Sequence, residues 1–285
     1  MRQVPGSIAS IWSPAGLSAG PLTWLDAAND DKVIVDSNDI FNRWDGSGHT
    51  DLVMYSRPGS EPEYVTQGDE LLNNRNVLKF TGDSDFIQSD YYDGSSVGKW
   101  KKDPAVWCLV FKPTGINNFH DYLLWFEQST GQDLAIVPKD NDEFFGAPWL
   151  QENKIGNGAY PFTETYSETD LSNQWNIFEL ELNPVTQRAG MYLNGHAIQI
   201  DMPMDYQFPE DAEHMFRLHA NWIGSQYTDG YLAEFVVMND YYRVKTEGYL
   251  AWKWGLVDKL PEDHLYKTIP PFMEGVVKGN RTNLF

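Results

Sequence analysis

Short runs of alternating apolar and polar residues, closed off by turn-forming residues, dominate the chain from Leu22 onward. Phe178-Glu179-Leu180-Glu181-Leu182 sets three apolar side chains on one face and two glutamates on the other, the period-two signature of a half-buried strand. Both glutamates are therefore expected on a solvated face. Asn76-Val77-Leu78-Lys79-Phe80 ends at Thr81-Gly82-Asp83-Ser84-Asp85, and the apolar run Ala105-Val106-Trp107-Cys108-Leu109-Val110-Phe111 ends at Lys112-Pro113. Met191-Tyr192-Leu193 leads into Asn194-Gly195, a hairpin turn favoured because both residues tolerate positive φ, and His196-Ala197-Ile198-Gln199-Ile200 returns. Tyr231-Leu232-Ala233-Glu234-Phe235-Val236-Val237-Met238 closes the series. The pattern predicts an all-β, antiparallel protein.

One helix interrupts it. Asp240 is placed to cap a segment from about Tyr241 to Trp254, Lys253 complements the dipole in the last turn, and Gly255 supplies a left-handed stop. Val244, Gly248 and Ala251 give this helix a small, flat face for lying on a sheet. Leu260-Pro261 and Ile269-Pro270-Pro271 then force an extended, strap-like course. No repeat or low-complexity block breaks residues 22–271, so they are expected to form one domain, with an arm at 1–21 and a tail at 272–285. The arm is rich in Gly, Pro and small residues and carries Ile8, Ile11, Trp12 and Leu17 as apolar anchors. Segments of this kind fray unless something ties them down, either a neighbouring subunit or their own domain.

Composition narrows the partners. Among 285 residues, 41 Asp and Glu face 21 Lys and Arg, a formal net charge of −20. A chain that tracks phosphates needs a surplus of cations, so no nucleic-acid role is expected. With 41% hydrophobic and 14% aromatic residues the chain is too apolar to be a disordered acidic polymer. Cys108 is the single cysteine, which excludes an internal disulfide framework and a cysteine-built zinc site. Met1-Arg2-Gln3-Val4-Pro5-Gly6 lacks the charged-then-apolar run of a secretory leader, and no stretch approaches the roughly 20 apolar residues of a membrane span. The expectation is a soluble protein made without export.

Several ordered segments resemble a known family. Leu22-Thr23-Trp24-Leu25-Asp26-Ala27-Ala28-Asn29-Asp30, Trp44-Asp45-Gly46-Ser47-Gly48-His49, Pro62-Glu63-Tyr64 and Asn76-Val77-Leu78-Lys79-Phe80-Thr81-Gly82 look like the opening of the concanavalin A-like, laminin-G-like jelly rolls of phage and bacterial surface proteins. Trp175-Asn176-Ile177-Phe178 with Gly190-Met191-Tyr192-Leu193-Asn194-Gly195 is similar to that family's central hairpin. Gly230-Tyr231-Leu232-Ala233-Glu234-Phe235-Val236-Val237, then Glu247-Gly248-Tyr249-Leu250-Ala251-Trp252-Lys253-Trp254-Gly255-Leu256, with Leu260-Pro261-Glu262-Asp263-His264-Leu265-Tyr266-Lys267, resembles its closing strand, helix and strap. The resemblance covers about residues 22–271 and implies a two-sheet jelly-roll sandwich with one C-terminal helix. It implies no activity, because this fold hosts lectins, glycosidases and structural modules alike.

Candidate chemistry is sparse. Glycoside hydrolysis needs two carboxylates across a cleft. Glucanases of this fold carry acids at i, i+2 and i+4, whereas Glu179-Leu180-Glu181-Leu182-Asn183 offers two and then an amide. The histidines, His49, His120, His196, His214, His219 and His264, are scattered, and the five-residue spacing of His214 and His219 matches no helical metal pair. Asp83 with Asp85, or Asp30 with Asp31, are oxygen donors of the kind calcium takes, but ordinary Asx turns explain them more simply. No metal or other cofactor is expected, with calcium left open. There is no Gly-x-Ser-x-Gly elbow and no phosphate loop, and Cys108 in an apolar strand reads as inert packing. Trp149 and Trp222, in Gly146-Ala147-Pro148-Trp149 and Asn221-Trp222-Ile223-Gly224, are candidate sugar-stacking rings, with core or interface packing as the plainer alternative.

These residues lead to a non-catalytic structural protein of a tailed-phage virion, a capsid decoration or a tail or fibre component assembled in the host cytoplasm. It would contact other virion proteins and copies of itself as a homo-oligomer, without membrane or nucleic acid. A carbohydrate-binding module is the alternative, and a glycoside hydrolase the third.

Overall fold

The structure is a computed structural model that describes residues 12–17, 21–48, 52–67, 72–81, 84–90, 103–115, 171, 173–203, 214–218 and 229–272, together with the backbone of strands at 124–128, 134–136, 147–151, 154–158 and 164–165. In chain order the first strands are β1 (Thr23–Asp26), β2 (Val33–Val35), β3 (Phe41–Asp45), β4 (Val53–Ser56), β5 (Glu63–Val65), β6 (Val77–Phe80), β7 (Ile87–Ser89) and β8 (Ala105–Gly115). Then follow β9 (Leu124–Gln128), β10 (Leu134–Ile136), β11 (Ala147–Gln151), β12 (Lys154–Gly158), β13 (Glu164–Thr165) and β14 (Asn176–Asn183). The last are β15 (Arg188–Leu193), β16 (His196–Pro203), β17 (His214–Leu218) and β18 (Asp229–Asn239), and helix α1 spans Arg243–Trp254.

Two antiparallel sheets make the expected sandwich. One runs β16-β15-β14-β8-β18-β6-β5 with β1 added alongside β18, and the other runs β10-β9-β17-β7-β4-β3-β2. A third, small sheet runs β11-β12-β13, with β11 against β10. Trp107, Leu109, Phe111, Phe178, Leu180, Leu182, Phe216, Leu218, Phe235 and Val237 meet between the large sheets. The unbroken apolar run of β8 has a physical cause: its alternate residues Val106, Cys108 and Val110 face a second apolar layer under α1, so both faces are covered.

That second layer positions everything that follows. Leu250, Ala251 and Trp254 of α1 have no exposed surface and pack on β8, β14 and β18; each fully buried side chain of leucine size contributes about 1.5–3 kcal/mol. The chain turns into α1 through a 3-10 turn at Asp240–Tyr242, so the α-helix begins later than Asp240 capping predicts, and Gly255 at φ 73° ends it as expected. Gly248 does not lie on the sheet. A Cβ there would sit 2.6 Å from Cβ of Tyr266, so the glycine lets the 260–272 strap cross the helix in direct contact. Asn194-Gly195 forms the predicted turn, with φ of 52° and 83°.

Trp12 is 2% exposed and fills the end of the same layer, stacked on Tyr242 at 6.2 Å and edge-on to Tyr249 at 6.0 Å. Its backbone N–H donates to the Pro271 carbonyl at 2.7 Å, so the first described segment and the end of the strap are neighbours on this face. Leu17 packs against the same layer, whereas Ile8 and Ile11 lie outside the described residues.

Candidate functional site

The face of the larger sheet under α1 holds the unexpected chemistry. Glu179, on β14 and fully buried, does not face solvent as its strand periodicity predicts; α1 lies over it. Arg243, in the first turn of α1, reaches down so that one guanidinium nitrogen, Nη1, lies 3.2 Å from Oε2 of Glu179 and 3.3 Å from Oε2 of Glu247. Its Nε lies 3.7 Å from Glu181, and its plane covers the Tyr192 ring at 3.8 Å. From the strap, Nε2 of His264 meets Oε2 of Glu247 at 3.1 Å. Oε1 of Glu179 and Oε1 of Glu247 have no donor among these groups. Burial pushes Glu179 well above the ordinary carboxylate range, and the charge of Glu247 pushes it further than Arg243 can restore. The same burial, with both glutamates nearby, raises the Cys108 thiol and leaves it as inert packing.

A second cluster lies at the other end of α1. Glu234 of β18, fully buried, accepts from Nε1 of Trp24 at 2.5 Å, Nε1 of Trp254 at 2.6 Å and Nζ of Lys253 at 2.7 Å. Lys253 also pairs with Asp26 of β1 at 2.5 Å. Desolvation raises Glu234 and the lysine opposes it. Glu234 is thus held by three donors, and the cluster joins β1, β18 and α1.

Beside the first turn of α1, next to Arg243, the same sheet face opens. A groove of about 370 Å³ is lined by Glu181, Arg188, Gly190, Tyr192, Ile200 and Asp201, among others. Gly190 stands opposite Glu181 in the β14–β15 register. Between the pairs Ala189–Met202 and Met191–Gln199, Gly190 faces two residues of β16, so Ile200 and Asp201 form a bulge. Asp201 there holds φ of 57°, and Ile200 is 58% exposed. The other large sheet carries Arg43, Tyr55, Gln88 and Arg217 in one cross-strand row. Arg43 is engaged by both oxygens of Asp45 at 2.7 Å, and Nε of Arg217 donates to Gln88 at 3.2 Å.

Of the sugar-stacking candidates, Trp149 sits on β11 opposite Gly156, with its side chain outside the described residues, and Trp222 lies outside them altogether. Asp85 accepts from the backbone and hydroxyl of Thr81 at 2.9 and 2.7 Å, as an ordinary turn residue does, while Asp83 lies outside the described residues. Asp30 accepts from Tyr64 and Asn76. Among the described residues no three His, Cys, Asp or Glu gather as a metal site, and no helix is long and apolar enough to cross a membrane. Sequence reasoning missed Arg243, His264, Glu234 and Lys253. The only signal was a run of charged and aromatic residues on a helix whose neighbours it must bury.

No family model matches the chain, and no curated protein does. Solved structures match in fold. A Trypanosoma rangeli sialidase mutant displaying trans-sialidase activity is 10% identical with a TM-score of 0.52, covering 81% of this chain and 34% of that one. The same organism's sialidase in complex with 2,3-difluoro-KDN gives 10% identity and a TM-score of 0.51, covering 82% of this chain and 34% of that one. The carbohydrate esterase vb_24B_21 of bacteriophage phi24B gives 10% identity and a TM-score of 0.44, over 77% of this chain and 99% of that one. This chain therefore spans about a third of the sialidases it matches, and the likeness is one of β-sandwich fold.

Proposed function

We propose that this chain is a non-catalytic β-sandwich component of a tailed-phage particle, working by adhesion to other particle proteins and to copies of itself. The observation that carries the reading is the fate of the carboxylates. Glu179 and Glu247 do lie close together, but at 0% and 1% exposure a glycosidic oxygen cannot reach between them, and Arg243 and His264 tie them to helix and strap. Glu234 is consumed likewise by Lys253 and two indoles. Acid groups built into the attachment of an element stiffen a body; they do not turn over a substrate. The ordered resemblance of residues 22–271 to phage and bacterial surface jelly rolls supports the particle assignment, and the charge of −20 suits an outer protein that must stay off packaged DNA. Quantitative mass spectrometry of density-purified particles from the source tests it. The protein is expected at a fixed copy number relative to the major shell protein; its presence in the lysate but absence from particles overturns the assignment.

A further inference from the structure

We propose that the groove between Glu181, Tyr192 and the β16 bulge is a subsite for one ring of an uncharged saccharide. This goes beyond the adhesive role and rests on it only in taking the site as non-catalytic.

Three features build the site. Arg243 covers one face of Tyr192, and the tyrosine hydroxyl donates to Oε2 of Glu181 at 3.3 Å, so the wall of the groove is rigid. Gly190, across from Glu181, contributes no side chain, and a Cβ built there would lie 3.3 Å from the Tyr192 ring and 3.7 Å from Cβ of Glu181, filling the floor. On the far side the bulge holds Asp201 in the left-handed region at φ 57°, a conformation that among residues with a side chain Asp and Asn adopt most readily. That bulge turns Ile200 outward. Arg188 fixes it, donating from Nη1 to the Asp201 carbonyl at 3.1 Å with its Nε 3.5 Å from the carboxylate.

The lining selects the ligand. Carboxylate and hydroxyl oxygens and a guanidinium offer acceptors and donors together, and Ile200 with the edge of Tyr192 offers an apolar strip. A sugar ring matches both, with hydroxyls on its rim and C–H groups on its face. Glu181 faces Arg243 and Asp201 faces Arg188, so the groove keeps no spare cation for an anionic sugar, and the net charge of −20 repels one. A cavity of about 370 Å³ is at the small end of the ligand-pocket range, the size for a single ring rather than a long chain.

The test is amide NMR titration of the full chain with cellotetraose, maltotetraose and trigalacturonate, each to roughly 10 mM, where even weak binding of about 1 mM Kd saturates most sites. At least one neutral probe is expected to shift the resonances of Gly190, Tyr192, Ile200 and Asp201. Ile200→Ser and Glu181→Gln, with spectra otherwise unchanged, are each expected to weaken that binding about tenfold. Trigalacturonate is expected to leave the resonances in place. The proposal is overturned by silence from both neutral probes, by shifts confined to other residues such as Tyr55 and Gln88, by equal binding of trigalacturonate, or by variants that bind as the parent does. Appearance of shortened sugars in the same tube contradicts the non-catalytic reading and leaves the subsite standing, so the two fail separately.

Discussion

Glu179 shows what one residue gains and loses by being covered. Its pKa is raised in the folded chain, so the folded state holds a proton that the unfolded state releases above the ordinary glutamate range. The stabilisation is complete below that ordinary value and is lost as pH rises toward the folded value, at about 1.4 kcal/mol per pH unit for one proton. Denaturant unfolding between pH 5 and 9 is expected to show Glu179→Gln falling less steeply than the parent, because the amide does not titrate; parallel slopes would refute the assignment. Arg243→Ala removes the cation that faces Glu179, Glu181 and Glu247 together. It is expected to cost about 3–5 kcal/mol at neutral pH, since it leaves buried acid unpaired. Alternation in the sequence correctly placed Phe178, Leu180 and Leu182 inward. It could not reveal that Glu179 would be covered by a helix 64 residues further along the chain, because period two separates faces without saying what lies on them.

At the level of elements, α1 behaves as a plate fastened at both ends. Lys253→Met strips Glu234 and Asp26 of their cation and is expected to lower stability by about 3–5 kcal/mol, more than the change in apolar area alone predicts. Gly248→Ala forces the new Cβ against Tyr266 and is expected to lift the strap at a cost of about 1–3 kcal/mol, seen as faster proteolysis between Pro261 and Pro271. The helix itself was legible from Asp240 before it, Lys253 in its last turn and the Gly255 stop. Its contact partners were not: Gly248 read as a face for the sheet, yet it serves the strap. The β16 bulge was equally invisible, since Ile200-Asp201 carries no turn-forming glycine and the extra residues appear only when two strands are paired.

Across the whole molecule, a two-sheet sandwich with a helix on one outer face accounts for the doubly apolar strands β8 and β18, for the aromatic-rich composition and for the absence of any need for disulfides. The fold class was legible because strand alternation, turn residues and the ordered resemblance all agreed. The site was not, because the decisive groups come from β1, β14, β18, α1 and the strap and meet only in three dimensions. On the helix-covered face Glu179, Glu234 and Glu247 are enclosed, whereas Glu181 reaches the open groove. The most direct test is release of reducing ends from a panel of β-glucans, α-glucans and sialylated glycans. The account predicts no turnover above a protein-free control, for the parent chain and for Glu179→Gln and Glu181→Gln alike. Turnover by the parent that vanishes in either variant would contradict it.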